Sequence, residues 1–137
     1  WMHAYTYSGH PTCCAVGLAN VEIMERERLA ERSATLGTRL DKALHAAFDS
    51  HPNVGDIRSG KGLLAAVELV EDKATKKSYD ADRKIGARLM QEMTKRGVIT
   101  RARMENIFFS PALVITEEQL DRMVSVTQEA VKAVTGK

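Results

Sequence analysis

Thr6-Tyr7-Ser8-Gly9-His10-Pro11 is the stretch from which the rest of the chain can be read. Ser8-Gly9-His10-Pro11 reads as a turn feeding a helix, because the fixed φ of proline suits the first helical position and its missing N–H costs nothing there. Good helix formers follow from Thr12 to Leu29. Between Cys13 and Val21 that helix is apolar nearly all round: Cys13, Cys14, Ala15, Val16, Leu18, Ala19 and Val21. Such a helix is normally covered on several sides. One small domain has too few elements to surround it, so the stretch predicts a subunit or domain interface.

A second helix is expected from Ala30 to Phe48, where Leu36, Leu40, Leu44 and Phe48 recur on one face. His51-Pro52-Asn53 breaks it. Val54 to Arg58 and Leu63 to Val70 read as two strands, and the glycines of Ser59-Gly60-Lys61-Gly62 fit a tight hairpin between them. Glu71 to Asp82 is polar and reads as a mobile loop. A third helix from Ala81 to Arg96 carries Ile85, Leu89 and Met93 on one face and stops at Gly97. Val98 to Arg101 and Asn106 to Phe109 form a second strand pair, ended by Pro111. Thr116-Glu117-Glu118-Gln119 has the pattern of a capping box and opens a last helix with Leu120, Met123, Val124, Thr127 and Val131 inward. The order of elements predicts an α+β fold: a small, largely antiparallel sheet covered by helices, preceded by the long apolar N-terminal helix. Residues 1–30 read as motif turn and interface helix, and 31–137 as the small α+β domain.

The 137 residues suffice for one domain with a modest core. A net charge of +2 leaves no footprint for nucleic acid or an anionic membrane surface. Lys73, Lys76 and Lys77 stand among Asp72, Asp80 and Asp82, as on a solvated loop. No apolar run approaches the roughly 20 residues of a spanning helix. Four scattered histidines show no metal-ligand spacing, so no metal site is expected. Cys13 and Cys14 are adjacent, and a disulfide needs Cα atoms about 5.5 Å apart with suitably aimed side chains. They read as reduced, buried thiols of a cytoplasmic protein, without a cation nearby to activate them.

Three blocks carry a resemblance to a known family. Thr6-Tyr7-Ser8-Gly9-His10-Pro11 with its helix is similar to a signature of class III aminotransferases, the ω-transaminase group of fold type I. Asp56-Ile57-Arg58-Ser59-Gly60-Lys61-Gly62-Leu63, running on to Glu68-Leu69, is similar to the family's D-x-R-G-x-G-L stretch. Gly97-Val98-Ile99-Thr100-Arg101, with Phe109-Ser110-Pro111-Ala112-Leu113-Val114-Ile115-Thr116, is similar to its G-x-x-x-R and P-P-L-x-I-T ending. Ala112 departs from the second proline of that pattern. The blocks stand in the family's order over nearly the whole chain.

The resemblance implies a transferase that uses pyridoxal phosphate (PLP) to move an amino group between an amine or amino acid and a keto acid. It implies that Thr6 binds the cofactor phosphate in the partner subunit's active site, where Ser8 and His10 could also touch it, and this fits a homo-oligomer, a dimer or larger. It implies that Arg101, four positions after Gly97, binds the substrate carboxylate. Arg103, two residues on, serves that purpose if the alignment shifts. A hydroxyl beside a Ser-Gly turn at a helix start suits phosphate, and a guanidinium suits a carboxylate. Each residue also has a plainer reading: Thr6 as a turn residue, Ser8 as an N-cap, His10 packed near the turn, Arg101 as an exposed strand-end arginine. Arg58 and Glu68 read as structural, for instance a cross-strand charge pair. No lysine here stands in the context of the cofactor-linking lysine, so no catalytic residue is assigned. The family's lysine, ring-binding acid and aromatic lie upstream of the first block. With the abrupt start at Trp1-Met2-His3-Ala4, this predicts a C-terminal fragment, inactive alone. A non-catalytic α+β interaction or assembly module is the alternative.

Overall fold

The computed structural model describes residues 3–136. Four helices and four strands follow in the order α1 (Pro11–Arg26), α2 (Leu29–Phe48), β1 (Val54–Lys61), β2 (Leu64–Leu69), α3 (Ile85–Lys95), β3 (Arg101–Arg103), β4 (Asn106–Phe109) and α4 (Glu117–Thr135). The strands make one antiparallel sheet in the order β1-β2-β4-β3, with β3 at an edge. The fold is α+β.

Pairing across the sheet sorts its side chains into two faces. Ile57, Val67, Ile107 and Ala102 stand opposite one another in one row. Val67 and Ile107 are fully buried, so this row faces the core. One residue along, Arg58, Ala66, Phe108 and Arg101 form a row on the other face, as do Asp56, Glu68, Asn106 and Arg103. The helices cover the inner face. Leu36, Leu40, Leu44 and Phe48 of α2, Ile85, Leu89 and Met93 of α3, and Leu120, Val124 and Val131 of α4 join the strands in a single core. The helical periodicities identify these buried faces correctly. At α4 the capping box is complete: Gln119 N–H donates to Thr116 Oγ1 at 3.2 Å, and Thr116 N–H donates to Gln119 Oε1 at 3.0 Å.

Several boundaries differ from the sequence expectation. The first helix stops at Arg26 rather than Leu29, and Arg28 takes a left-handed conformation (φ 49°) to start α2. No glycine or proline marks that break. It allows Leu29 to turn inward and become buried, whereas no residue of α1 is buried. β1 runs on to Lys61, because Gly60 (φ 82°) absorbs a bulge and the reversal falls at Gly62-Leu63. The third helix is interrupted: a 3-10 turn at Ala81–Arg83, capped by Asp80, gives way at left-handed Lys84 to α3. Val98 to Thr100 is not a strand. Pairing begins only at Arg101, opposite Phe108, since beyond Phe109 the partner strand reaches Pro111, which has no N–H to donate. The Thr100 hydroxyl instead donates to the Phe108 carbonyl.

The polar loop is internally bonded. Glu71 N–H donates to the Lys77 carbonyl at 2.8 Å, the Lys77 ammonium meets Glu71 at 2.6 Å, and Asp72 accepts from Ala74 N–H and the Thr75 hydroxyl. The thiols depart from expectation as well: Cys13 and Cys14 are free and exposed, because α1 lies outside the core.

Two close approaches clamp the hairpin turns to helices. A Cβ on Gly37 of α2 would lie 2.2 Å from the Gly62 carbonyl oxygen, and one on Gly86 of α3 would lie 2.0 Å from that of Met104. Gly17 of α1 has open space around it. Gly37→Ala is expected to destabilise the chain by about 1–3 kcal/mol, since rigid backbone must move to admit the methyl. Gly17→Ala should raise helix content, relieving roughly 1 kcal/mol of local helix penalty, without shifting the main unfolding transition. Urea titrations followed by circular dichroism measure both, and an unchanged midpoint for Gly37→Ala would disprove the clamp.

The exposure of α1 has a chemical readout. Both thiols of the folded chain should react with Ellman's reagent without a lag and without denaturant. A native chain that protects either thiol would show that α1 is covered in solution.

Candidate functional site

The residues singled out for function occupy two separate places. The first is the turn ahead of α1. Ser8 N–H donates to the Tyr5 carbonyl at 2.9 Å, and Tyr5 N–H donates back to Ser8 Oγ at 2.9 Å. Gly9 closes the turn with φ 73°, and His10 N–H donates to the Tyr7 carbonyl at 3.2 Å. Ser8 is therefore committed to the turn as an acceptor while its own O–H is available to donate.

The N-cap position of α1 belongs to His10, not Ser8, and no side chain caps the helix. The backbone donors at the helix start are thus left without a side-chain partner, and Thr6 is exposed in the turn that precedes them. Uncapped N–H groups and the positive end of the helix dipole attract anions.

The second place is the β3 edge. Arg101 opens β3, and its side chain lies on the outer face of the sheet opposite Phe108. It borders a cavity of about 670 Å³. Ile99 and Thr100 lead into β3 on one side of this cavity, Phe108, Ser110 and Pro111 come from β4 and its exit, Arg103 follows Arg101, and Met123 is the contribution of α4. Much of this lining is apolar, with guanidinium groups at its border, as suits a small anion with a hydrocarbon part.

The acids of the same sheet face are already engaged. Arg58 Nη1 lies 3.4 Å from Asp56 and 3.3 Å from Glu68, and Arg58 also donates to Asn106 Oδ1. The Arg58–Glu68 pair is the diagonal cross-strand pair that the sequence allowed for. Arg101 and Arg103 make no ion pair with any described residue.

The fold does not bring these two places together. None of Thr6, Ser8 or His10 lines the cavity of Arg101. Phe108 and Ser110 were not singled out in the sequence. The alternation Ile107-in, Phe108-out is the signal that could have pointed to Phe108; Ser110 enters only because Pro111 ends the ladder. Among the described residues no three His, Cys, Asp or Glu side chains form a metal-binding group, and no helix is long and apolar enough to cross a membrane.

The chain is similar in sequence and in fold to known aminotransferases. The profile of the family Aminotransferase class-III matches residues 2–131. The chain is 40% identical over 135 residues to diaminobutyrate–2-oxoglutarate transaminase of Halomonas elongata, covering 97% of this chain and 29% of that protein. It is 37% identical to an uncharacterized aminotransferase of Schizosaccharomyces pombe, covering 93% of this chain and 29% of that one. Among solved structures, a thermostable (S)-enantioselective omega-transaminase from Thermomicrobium roseum superposes with a TM-score of 0.91 at 38% identity, over 98% of this chain and 30% of that one. The PMP-bound form of an aminotransferase from Vibrio fluvialis superposes with a TM-score of 0.92 at 31% identity, over 100% and 30%. The chain thus spans about three-tenths of the length of these relatives. With nearly all of its residues matched in sequence and in backbone, the chain belongs to the class-III aminotransferase family.

Proposed function

We propose that this chain is the C-terminal part of a PLP-dependent aminotransferase that moves an amino group between an amine or amino acid and a keto acid. Class-III aminotransferases depend on PLP in general. The observation that carries the reading for this chain is Arg101: an arginine without an ion-pair partner, beside a largely apolar cavity, on the fold of the family.

The cofactor, when bound, supplies the electron sink that lets an amino group and a carbonyl oxygen be exchanged. The residues present suit its phosphate. The Thr6 and Ser8 hydroxyls and the uncapped start of α1 are donors in one exposed turn, and such donors would hold a phosphate by hydrogen bonds and the helix dipole. Arg101 would hold the substrate carboxylate through paired N–H donors and so orient the reacting carbon. Thr6 and Arg101 lie in separate places within one chain, which supports the reading that Thr6 serves the site of a second subunit. Residues 1–30 then act as an interface arm and 31–137 as the small domain. The apolar side of α1, where Val16 is 65% and Leu18 62% exposed, would be covered in that assembly. The cofactor-linking lysine and the groups around the cofactor ring belong to the part of the enzyme outside these 137 residues, so the chain alone does not catalyse.

The last statement is tested by mixing the purified chain with PLP, reducing with borohydride and mapping labelled peptides by mass spectrometry. Scattered weak labelling of surface lysines is expected. Stoichiometric labelling of a single lysine would overturn it.

In the complete enzyme, Arg101→Ala should lower kcat/KM for pyruvate by about 10- to 150-fold, the equivalent of roughly 1.5–3 kcal/mol for a charge-assisted contact. A simple aldehyde such as butanal, which has no carboxylate, should be affected little. Arg101→Lys should recover only part of the loss, because an ammonium lacks the planar fork. Equal losses for the acid and the aldehyde would mean that Arg101 supports the turn rather than the substrate.

A further inference from the structure

β3 carries two arginines on one face. Arg101 and Arg103 are two residues apart, so both point to the outer side of the sheet, and both line the same cavity. Neither has an ion-pair partner among the described residues. The acids that could have neutralised them are held elsewhere: Asp56 and Glu68 by Arg58, while Asn106, directly opposite Arg103, accepts from that same Arg58. Glu105, on the connecting turn, lines a different cavity with Asp80, Lys84 and Met104. Two guanidinium groups therefore share the border of one cavity with no counter-charge.

One carboxylate is satisfied by one guanidinium through two parallel N–H···O bonds. A second arginine, its Cα about 6.6 Å along the strand, adds only a longer-range attraction for a ligand with a single negative group. It adds more for a ligand whose second carboxylate lies a few methylenes away. Apolar side chains line the same cavity and suit those methylenes: Phe108 stands directly opposite Arg101, and Ile99, Pro111 and Met123 border the end of the cavity away from Arg103.

The backbone that carries Arg103 is also held. The turn after it is pressed against α3, where only a glycine at position 86 leaves room for the Met104 carbonyl, and Met104 itself is left-handed at φ 53°. A clamped strand sets the positions of the two Cα atoms from which the arginines extend toward the cavity.

We propose that Arg103 is a specificity-determining residue that selects short dicarboxylic keto acids over monocarboxylic ones as amino-group acceptors. Arg101 takes the carboxylate next to the keto group and Arg103 the distal one. The proposal rests on the reading of Arg101 given above.

The test is made in the complete enzyme with one amine donor and three acceptors: 2-oxoglutarate, pyruvate and butanal. Arg103→Ala should lower kcat/KM for 2-oxoglutarate by about 10- to 100-fold, as expected for a lost charge-assisted contact, and change that for pyruvate less than about 3-fold. Arg103→Lys should restore part of the 2-oxoglutarate activity. Inhibition by glutarate, an unreactive dicarboxylate, should weaken in parallel, whereas inhibition by propionate should not. Equal losses for 2-oxoglutarate and pyruvate, no loss for either, or a parent enzyme that does not use 2-oxoglutarate would each overturn the proposal. Should Arg103→Ala fail to fold, Arg103→Gln keeps the length and polarity of the side chain and gives the same comparison. The role of Arg101 fails separately, by an equal effect of Arg101→Ala on pyruvate and butanal, whatever the behaviour of Arg103.

Discussion

One-sided burial of the four-stranded sheet is the constraint on which the rest depends. Val67 and Ile107, paired at its centre, are fully buried against the helices. Their strand neighbours Ala66, Glu68, Asn106 and Phe108 must then face the other way, since side chains alternate along a strand. Pairing carries this alternation outward to β3, where Ala102 faces in and Arg101 and Arg103 face out. A slip of one residue would drive two guanidinium groups into the core and expose Ile107, and burying an unpaired charge costs far more than the core could offset. The burial that stabilises the domain is therefore also what directs both arginines to the cavity. Their positions need no separate device.

Close backbone contact keeps that arrangement from drifting. β3 is a three-residue edge strand, and three ladder pairs are a weak tether. The turn beyond it is wedged onto α3 at Gly86, as the β1–β2 turn is wedged onto α2 at Gly37. Both glycines lie inside helices, where glycine is unfavourable by roughly 1 kcal/mol relative to alanine. Here the missing Cβ is what lets helix and turn approach. Gly17 has no such neighbour, and the helix that contains it buries nothing.

Legibility in the sequence followed the range of the interactions. The faces of α2, α3 and α4 could be read because a period of 3.6 is local, and the capping box because its two hydrogen bonds span three residues. The break at Arg26 could not, since Met24 to Leu29 is good helix sequence and only the burial of Leu29 ends the run. Nor could the late start of β3: Val98-Ile99-Thr100 has strong strand propensity, but its would-be partner contains Pro111. Thr6, Ser8 and Arg101 are candidates through their motifs alone. The cavity beside Arg101 was not legible, because it joins residues of the β3 approach, the β4 exit and α4 that no local pattern connects.

The same distinction separates the two ends of the chain. Residues from Leu29 onward build the core, and their helix faces are readable because partners for those faces lie within the chain. α1 has the opposite character. Val16, Leu18 and Val21 are at least half exposed, and the turn ahead of it offers donors without a side-chain cap. Periodicity assigns no inward side to α1, since a stretch apolar nearly all round has no preferred side. α1 buries none of its residues, so its apolar side chains stand open to solvent behind a turn whose backbone donors lack a side-chain cap. The two candidate places therefore differ in kind: Arg101 stands on a sheet whose other face is the core, whereas Thr6 and Ser8 stand ahead of a helix that the core does not hold.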